Sequence, residues 1–458
     1  MVAGALALCA ALVVAPALSH FDEVDSQTYQ TVIRHMREDG AWLDLRYLPQ
    51  VYPRFYEQLP FGFWPYVIAA LAAGERALPV VATAFTLATY LLLAFLGWRR
   101  GGPMSSALAV LLLGTCESFF LYGSRPLLEP PLLFFTTLAA TPLLLGPMSR
   151  RGWLLCLGAS ALGVLIKGPF GLLPLFAFGL AAVRSTRALA LVLVAGVAAT
   201  FPLAAFLVHD AVSGTGTWWS GYVEGHVLAA ATGARDEFHR GHLFPFASLA
   251  ERLGPAVVLV AIGAALFVWK RSALPEPLRR DWSVLGLGTL LLLLLLTIPA
   301  QQNWTHVLVA YPFVALLAAL GLAPWLEPAM RPPRRQFGAA LALGSLALAA
   351  WIAAGLGAGR RMLPAPCLLS EGELSTPLAA LPALTPIAVV TPHPWSTIAL
   401  LAAEGHLAPA PATLAEPGEA RYAVVLLELW APQAGWSEVG RDAHWVLAAR
   451  RGVNGTAP

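Results

Sequence analysis

Stretches of about 20 predominantly apolar residues, the length a helix needs to cross a bilayer, recur along nearly the whole chain. Candidate spans fall near residues 1–19, 77–98, 104–122, 128–147, 152–168, 169–183, 187–208, 254–270, 283–299, 306–326 and 337–358. That makes about eleven, with ends set to within ~2–4 residues. Charged residues are 12% of the chain and hydrophobic ones 58%, whereas a soluble domain carries about a quarter charged residues. No globular core can hide so much apolar sequence, so the expected fold class is an all-α polytopic membrane protein. The first segment lacks the positive n-region of a secretory signal and is followed by many further spans. It is read as a retained helix, with a cleaved signal peptide as the minority reading.

Short basic loops at Arg99-Arg100, Arg150-Arg151, Arg184 to Arg187, Lys270 to Arg280 and Arg331 to Arg335 follow every second span. Basic loops stay on the cytoplasmic side. The expected N-terminus is therefore cytoplasmic, in a bacterial inner (cytoplasmic) membrane. Residues 20–76, 123–127, the Lys167 turn, 209–252, 300–305 and 359–458 are expected outside. The expected division is a transmembrane domain over 1–358, with long outer loops at 20–76 and 209–252, and a small extracytoplasmic α/β domain over 359–458. The tail is rich in proline and carries short β-like runs such as Ile387 to Val390 and Tyr422 to Leu427, too short to span. The net charge of +3 is small for this length and gives no reason to expect nucleic acid. Of the four cysteines, Cys9, Cys116 and Cys156 lie in apolar stretches, Cys367 does not, and there is no CxxC. Neither a disulfide framework nor a zinc site is implied.

Polar residues gather at the outer helix ends. Tyr29, Val32, Ile33 and Met36 line one face of a helix that Asp25 or Ser26 can cap and Gly40 can end; such a helix is expected to lie along the membrane surface. Asp22 and Glu23 stand at its junction with the first span, where acids also suit a positive helix N-terminus. Glu57 sits among aromatic residues before a stretch that re-enters apolar sequence, as an interfacial acid or as a carboxylate held at the water–lipid boundary. Glu129 begins the fourth span, Lys167 ends the fifth, and His306 begins the tenth after Gln301, Gln302 and Asn303. Ionisable residues at the mouths of spans are functional candidates, and snorkelling explains one such residue better than a cluster. The 209–252 loop holds Glu224, His226, Asp236, Glu237, His239 and His242. These are all ligand types, but their spacing matches no zinc motif. Ordinary loop polarity is the favoured reading there.

Taken in order, these residues resemble the GT-C glycosyltransferases of the protein O-mannosyltransferase and aminoarabinose lipid A transferase type (glycosyltransferase family 39 and relatives). The resemblance runs over roughly residues 15 to 325. The family's acidic pair at the end of the first span, followed by a Tyr, matches Asp22-Glu23 and Tyr29. Its aromatic-Glu-Lys-Pro stretch matches Tyr56-Glu57-Gln58-Leu59-Pro60, with Gln58 where the lysine stands. Its Arg-Leu-Pro is approached by Arg76-Ala77-Leu78-Pro79. Its Gly-Arg followed by an acid corresponds to Gly123, Arg125 and Glu129, with Glu where Asp is more usual. Lys167-Gly168-Pro169 and Glu224-Gly225-His226 are intact, and His242 and Pro245 take the later His and Pro. The polar stretch before an aromatic-Pro span resembles Gln301 to Pro312, with His306 in it.

The resemblance implies a sugar donor carried on a polyprenyl phosphate, used on the outer side of the membrane, with inversion at the anomeric carbon. A lipid, a glycan or a protein hydroxyl is the implied acceptor class. It implies Asp22 as the base or acceptor-positioning acid with Glu23 beside it, and Glu57 orienting donor or acceptor. Arg76, Arg125, Lys167 and the Gln58 position would meet the phosphate, with Arg54 a candidate to replace the missing lysine. A phosphate needs cations and backbone donors, and an incoming hydroxyl or amine needs a carboxylate to take its proton. Metal use varies in the family, and no metal or other cofactor is assigned.

Two rival readings stand. A secondary transporter places polar sites at the midplane of repeated halves, whereas here they gather at one face and no repeat is visible. Uptake of labelled solute into proteoliposomes would favour it. A catalytically inactive protein of envelope assembly that keeps the fold is the other. Loss of cellular activity on changing Asp22, at normal protein level, would argue against it.

Overall fold

The computed structural model describes residues 2–17, 24–48, 54–146, 148–183, 185–213, 216–234, 241–253 and 256–330, and, between 374 and 450, the strands and short segments beside them. The expected span at 337–358, the Arg331–Arg335 loop, Asp22, Glu23 and residues 235–240 lie outside the described residues. The helices run in chain order α1 (Val2–Ala17), α2 (Val24–Asp39), α3 (Trp64–Ala73), α4 (Leu78–Gly114), α5 (Glu117–Tyr122), α6 (Glu129–Leu144), α7 (Arg150–Lys167), α8 (Leu173–Ala182) and α9 (Thr186–Val212). A π-helix, Trp219–Leu228, leads into α10 (Ala229–Thr232), α11 (Phe244–Arg252), α12 (Ala256–Trp269), α13 (Glu276–Leu295), α14 (Trp304–Val307) and α15 (Tyr311–Met330). Strands follow as β1 (Pro386–Val390), β2 (Ala408–Pro411), β3 (Tyr422–Leu426), β4 (Trp436–Arg441) and β5 (Trp445–Arg450).

The chain divides into two compact units. The first comprises Met1–Ser19, Tyr56–Pro65 and Arg76–Gly355. Four helical stretches among its described residues are long and apolar enough to cross a membrane: Glu75–Gly114, Arg150–Ala182, Thr186–Val212 and Trp304–Glu327. Two of them are hairpins, as the basic turn and the Lys-Gly-Pro turn lead one to expect. In α4 the backbone leaves helical geometry at Gly101 and Gly102, and Gly102 takes φ 75° ahead of Pro103. The chain then doubles back, so that a Cβ on Gly97 would lie 2.8 Å from the Ser106 Cα, and Ser106 Oγ donates to the Ala94 carbonyl at 2.8 Å. The second arm ends at Gly114 and α5 restarts at Glu117, so the expected span over 104–122 is broken near Thr115-Cys116.

Sequence composition sets each helix's place. The run from Val307 into α15 as far as Ala323 is almost wholly buried, and this all-round apolar helix packs against α4, α12 and α13, as such helices do. By contrast, α9 leaves Val194, Val197 and Phe201 exposed, an apolar surface suited to lipid. With these spans the protein is a multi-pass membrane protein.

The second unit comprises His20–Phe55, Tyr66–Glu75 and Leu356–Pro458, so most of residues 20–76 group with the C-terminal segment. Its sheet has the order β2-β1-β3-β5-β4. β1 pairs in parallel with β2 and β3, and β5 antiparallel with β3 and β4. In α2, Tyr29, Val32, Ile33 and Met36 are buried, and so are Ser26, Gln27, Thr31 and Arg34. The helix is therefore covered on more than the apolar face that its spacing indicates. Arg34 tolerates this because its guanidinium pairs with Glu75 at 2.8 Å and donates to the Ala402 carbonyl at 3.2 Å; a buried charge without such partners would be costly.

Candidate functional site

The centre of the site is the end of α7. Lys167 leaves helical geometry, Gly168 takes φ 56° and ψ −132°, and Pro169 follows. A left-handed glycine ends a helix without steric cost, and the proline cannot continue the hydrogen-bond ladder. The chain reverses through the 3₁₀ turn Gly168–Leu172 into α8. Its two arms touch: a Cβ on Gly163 would lie 2.9 Å from the Gly171 Cα. This reversal leaves Lys167 at the tip of a helical hairpin.

Its partner is Glu129, the first residue of α6, where an acid also meets the positive end of the helix. Lys167 Nζ lies 2.5 Å from Glu129 Oε1, with the side chains only 11% and 6% exposed. Removing two charges from water is costly, and each makes the other tolerable. Lys167 therefore does not snorkel to the interface as a lone cation.

Around this pair the aromatic residues pack closely. A Cβ on Gly168 would collide with the Tyr222 hydroxyl, so only glycine fits beneath that ring. Burial raises the Tyr222 phenol well above its ordinary range, which keeps it a hydrogen-bond donor. The Tyr222 and His226 rings stack at 5.9 Å and 19°. The His306 ring lies 4.4 Å from that of Phe170 in the Lys167 turn. Asn303 Oδ1 accepts from the Thr305 amide at 3.1 Å and so caps the short helix that carries His306.

The segment containing Glu57 arrives at the same end of the bundle. A Cβ on Gly62 would lie 3.2 Å from the Ile166 carbonyl and 2.8 Å from Leu128 Cδ2, the residues just before Lys167 and Glu129. Tyr56 packs edge-on to Trp218 at 5.1 Å and against Gly221 of the π-helix. Gln58 is buried and Glu57 half-buried. The turn holding Arg125 follows α5, fixed by Thr86 Oγ1 donating to the Gly123 carbonyl at 2.7 Å. Tyr122, just before it, packs against Trp304 with ring centroids 4.7 Å apart and planes tilted by 59°. Arg125 itself is half-buried.

Glu57, Gln58, Glu129, Lys167, His226 and His306 thus gather at one end of the bundle, while other sequence candidates stand apart. Arg76 is exposed in the turn before α4. Glu224 is exposed and accepts from the Trp219 indole at 3.0 Å. His242 is exposed, with Nδ1 2.9 Å from the Thr297 carbonyl, which ties the 209–252 loop to the turn after α13. Tyr29 belongs to the second unit, edge-on to Phe55 at 6.2 Å. Sequence reading missed Tyr222, Phe170 and Asp210. The last is buried, and its carboxylate accepts from the Trp218 amide at 3.0 Å; an acid closing an apolar helix was its only signal. Among the described residues no three His, Cys, Asp or Glu side chains converge on a possible ion position, and this set does not include Asp22 or Glu23.

No protein-family model and no curated protein matches the sequence. Solved structures do match the fold. ArnT from Cupriavidus metallidurans in the apo state aligns at 16% identity and TM-score 0.69, over 98% of this chain and 96% of that one. The same protein bound to undecaprenyl phosphate aligns at 15% identity and TM-score 0.67, over 98% and 97%. The oligosaccharyltransferase AglB from Archaeoglobus fulgidus, in complex with an inhibitory peptide and a dolichol-phosphate, aligns at 13% identity and TM-score 0.55, over 93% of this chain and 69% of that one. The chain has the GT-C fold of these membrane glycosyltransferases.

Proposed function

We propose that this protein is a membrane glycosyltransferase that moves a sugar from a polyprenyl-phosphate donor to an acceptor on the extracytoplasmic side of the bacterial inner membrane. The observation that carries the reading is the fold likeness to ArnT over 98% of the chain, joined to a buried cation among aromatic rings at the mouth of the helix bundle. ArnT in one of these structures holds undecaprenyl phosphate, and a lipid of that chemistry suits both a lipid-facing helix surface and a cationic end.

In this reading the acceptor hydroxyl or amine attacks the anomeric carbon, the polyprenyl phosphate leaves, and the configuration inverts. Asp22 takes the proton or positions the acceptor, Glu23 stands beside it, and Glu57 orients donor or acceptor. Lys167, steadied by Glu129, and the Tyr222 hydroxyl meet the leaving phosphate; Arg125 is a further cation for it. Gln58, where the resembled enzymes carry lysine, offers a neutral amide instead. The test is incubation of the purified full chain with undecaprenyl-phosphate-linked sugars. Release of undecaprenyl phosphate with transfer to an envelope lipid, glycan or protein supports the reading. Solute uptake in proteoliposomes without transfer overturns it. Mass spectrometry of envelope lipids and glycans in a deletion strain identifies sugar and acceptor.

A further inference from the structure

At the far ends of α6 and α7 from Glu129 and Lys167, roughly 25 Å away along helices of that length, a cavity of about 560 Å³ opens among the ends of α6 to α9 and α13. Val183, Leu191 and Val192 are among its apolar lining residues. Charged residues line it too, and they are not equivalent. Arg100 is held: its Nη1 lies 2.8 Å from Asp281 Oδ2, with side chains 18% and 17% exposed, and its Nη2 donates to the Leu144 carbonyl. These two charges cancel each other within the protein.

Glu276 and Arg280 remain, both lining the cavity and both exposed. They stand four residues apart on α13, a spacing at which acid and base commonly pair. Neither forms an ion pair with any described residue, and the Arg280 charge acts on Asp281 only from a distance. Among its described residues the cavity therefore presents one free cation and one free anion, about a helical turn apart, beside apolar residues at the end of a membrane bundle. A purely anionic headgroup would set its phosphate against Glu276 as well as Arg280. A zwitterionic one satisfies both.

We infer that this cavity seats one zwitterionic phospholipid, its phosphate on Arg280, its ammonium on Glu276, and an acyl chain along Val183, Leu191 and Val192. In the orientation proposed above it draws this lipid from the inner leaflet; the site itself depends neither on that orientation nor on glycosyl transfer.

The test is native mass spectrometry of the purified full chain after exchange into equal amounts of phosphatidylethanolamine and phosphatidylglycerol. One phosphatidylethanolamine per chain is expected, retained about tenfold over phosphatidylglycerol, a preference of roughly 1.4 kcal/mol. Glu276→Gln is expected to abolish the preference, and Arg280→Gln to weaken retention of both lipids while the preference persists. Ala188→Trp, which narrows the cavity and leaves both charges, is expected to displace the lipid, so the outcome does not hang on the charge variants folding. Equal retention of the two lipids, or a preference unchanged in Glu276→Gln and Ala188→Trp, overturns the proposal. Retention without transferase activity leaves it standing and counts against the proposed function alone.

Discussion

The ammonium of Lys167 and the carboxylate of Glu129 meet at 2.5 Å across two helix ends, one closing α7 and the other opening α6. The pair joins elements 38 residues apart in sequence and fixes where the cation stands before any donor arrives.

Breaking the pair from one side leaves an uncompensated buried charge. Lys167→Met is expected to cost about 3–5 kcal/mol of stability, read as thermal unfolding in detergent. The double variant Lys167→Met/Glu129→Leu is expected to recover most of it. Donor KM in the double variant then separates the roles: a rise of about tenfold or more marks a contact with the phosphate, and an unchanged KM marks a purely structural pair.

Gly168 is expected to tolerate no side chain. Gly168→Ala meets both the left-handed backbone (φ 56°) and the Tyr222 hydroxyl, and is expected to destabilise by more than about 1 kcal/mol. Tyr222→Phe in the same protein relieves the collision and leaves the backbone strain, so partial recovery of the unfolding temperature is expected. No recovery would place Tyr222 elsewhere.

Asp22→Asn keeps capping ability and removes the charge. A capping role alone would lose a few tenths of a kcal/mol to about one, whereas the proposed proton transfer would lose on the order of a hundredfold or more in turnover. The larger loss is expected, with Glu23→Gln, which removes the neighbouring charge, as the control. Near-normal turnover in Asp22→Asn would pass the role to Glu57.

The proposed topology puts the C-terminal segment outside. A cysteine placed at Pro392 is expected to react with an impermeant maleimide in intact cells. Labelling that appears only after permeabilisation would sink the orientation, and the active-site assignment with it.

Much of the helical architecture was legible because hydropathy and basic loops report on local stretches of chain. Arg99-Arg100 and Lys167-Gly168-Pro169 both prove to be reversals, since glycine and proline write such turns into sequence directly. The break between α4 and α5 was not legible, because Thr115 and Cys116 interrupt no hydropathy pattern. Individual candidates at the site were visible, but their grouping was not. Nothing local links Glu129 to Lys167, or Tyr222 to Gly168, and a cation already neutralised by its own protein reads in sequence like a free one. Arg34 shows the same gap: its helix spacing marks an outward face, yet Glu75 and Ala402 hold it buried.

The π-helix Trp219–Leu228 carries a consequence for insertions and deletions. Wound with i→i+5 bonds, it holds more residues per turn than an α-helix. Excising one residue between Tyr222 and His226, where no wide turn tightens to α-helical winding to absorb the loss, would turn everything downstream by one residue's rotation about the axis, somewhat less than the ~100° of an α-helix. The segment would remain helical, while the imidazole of His226 would swing off the Tyr222 ring and away from the Lys167 turn. Length variation here is therefore expected to shift the Tyr222–His226 contact before it undoes the helix.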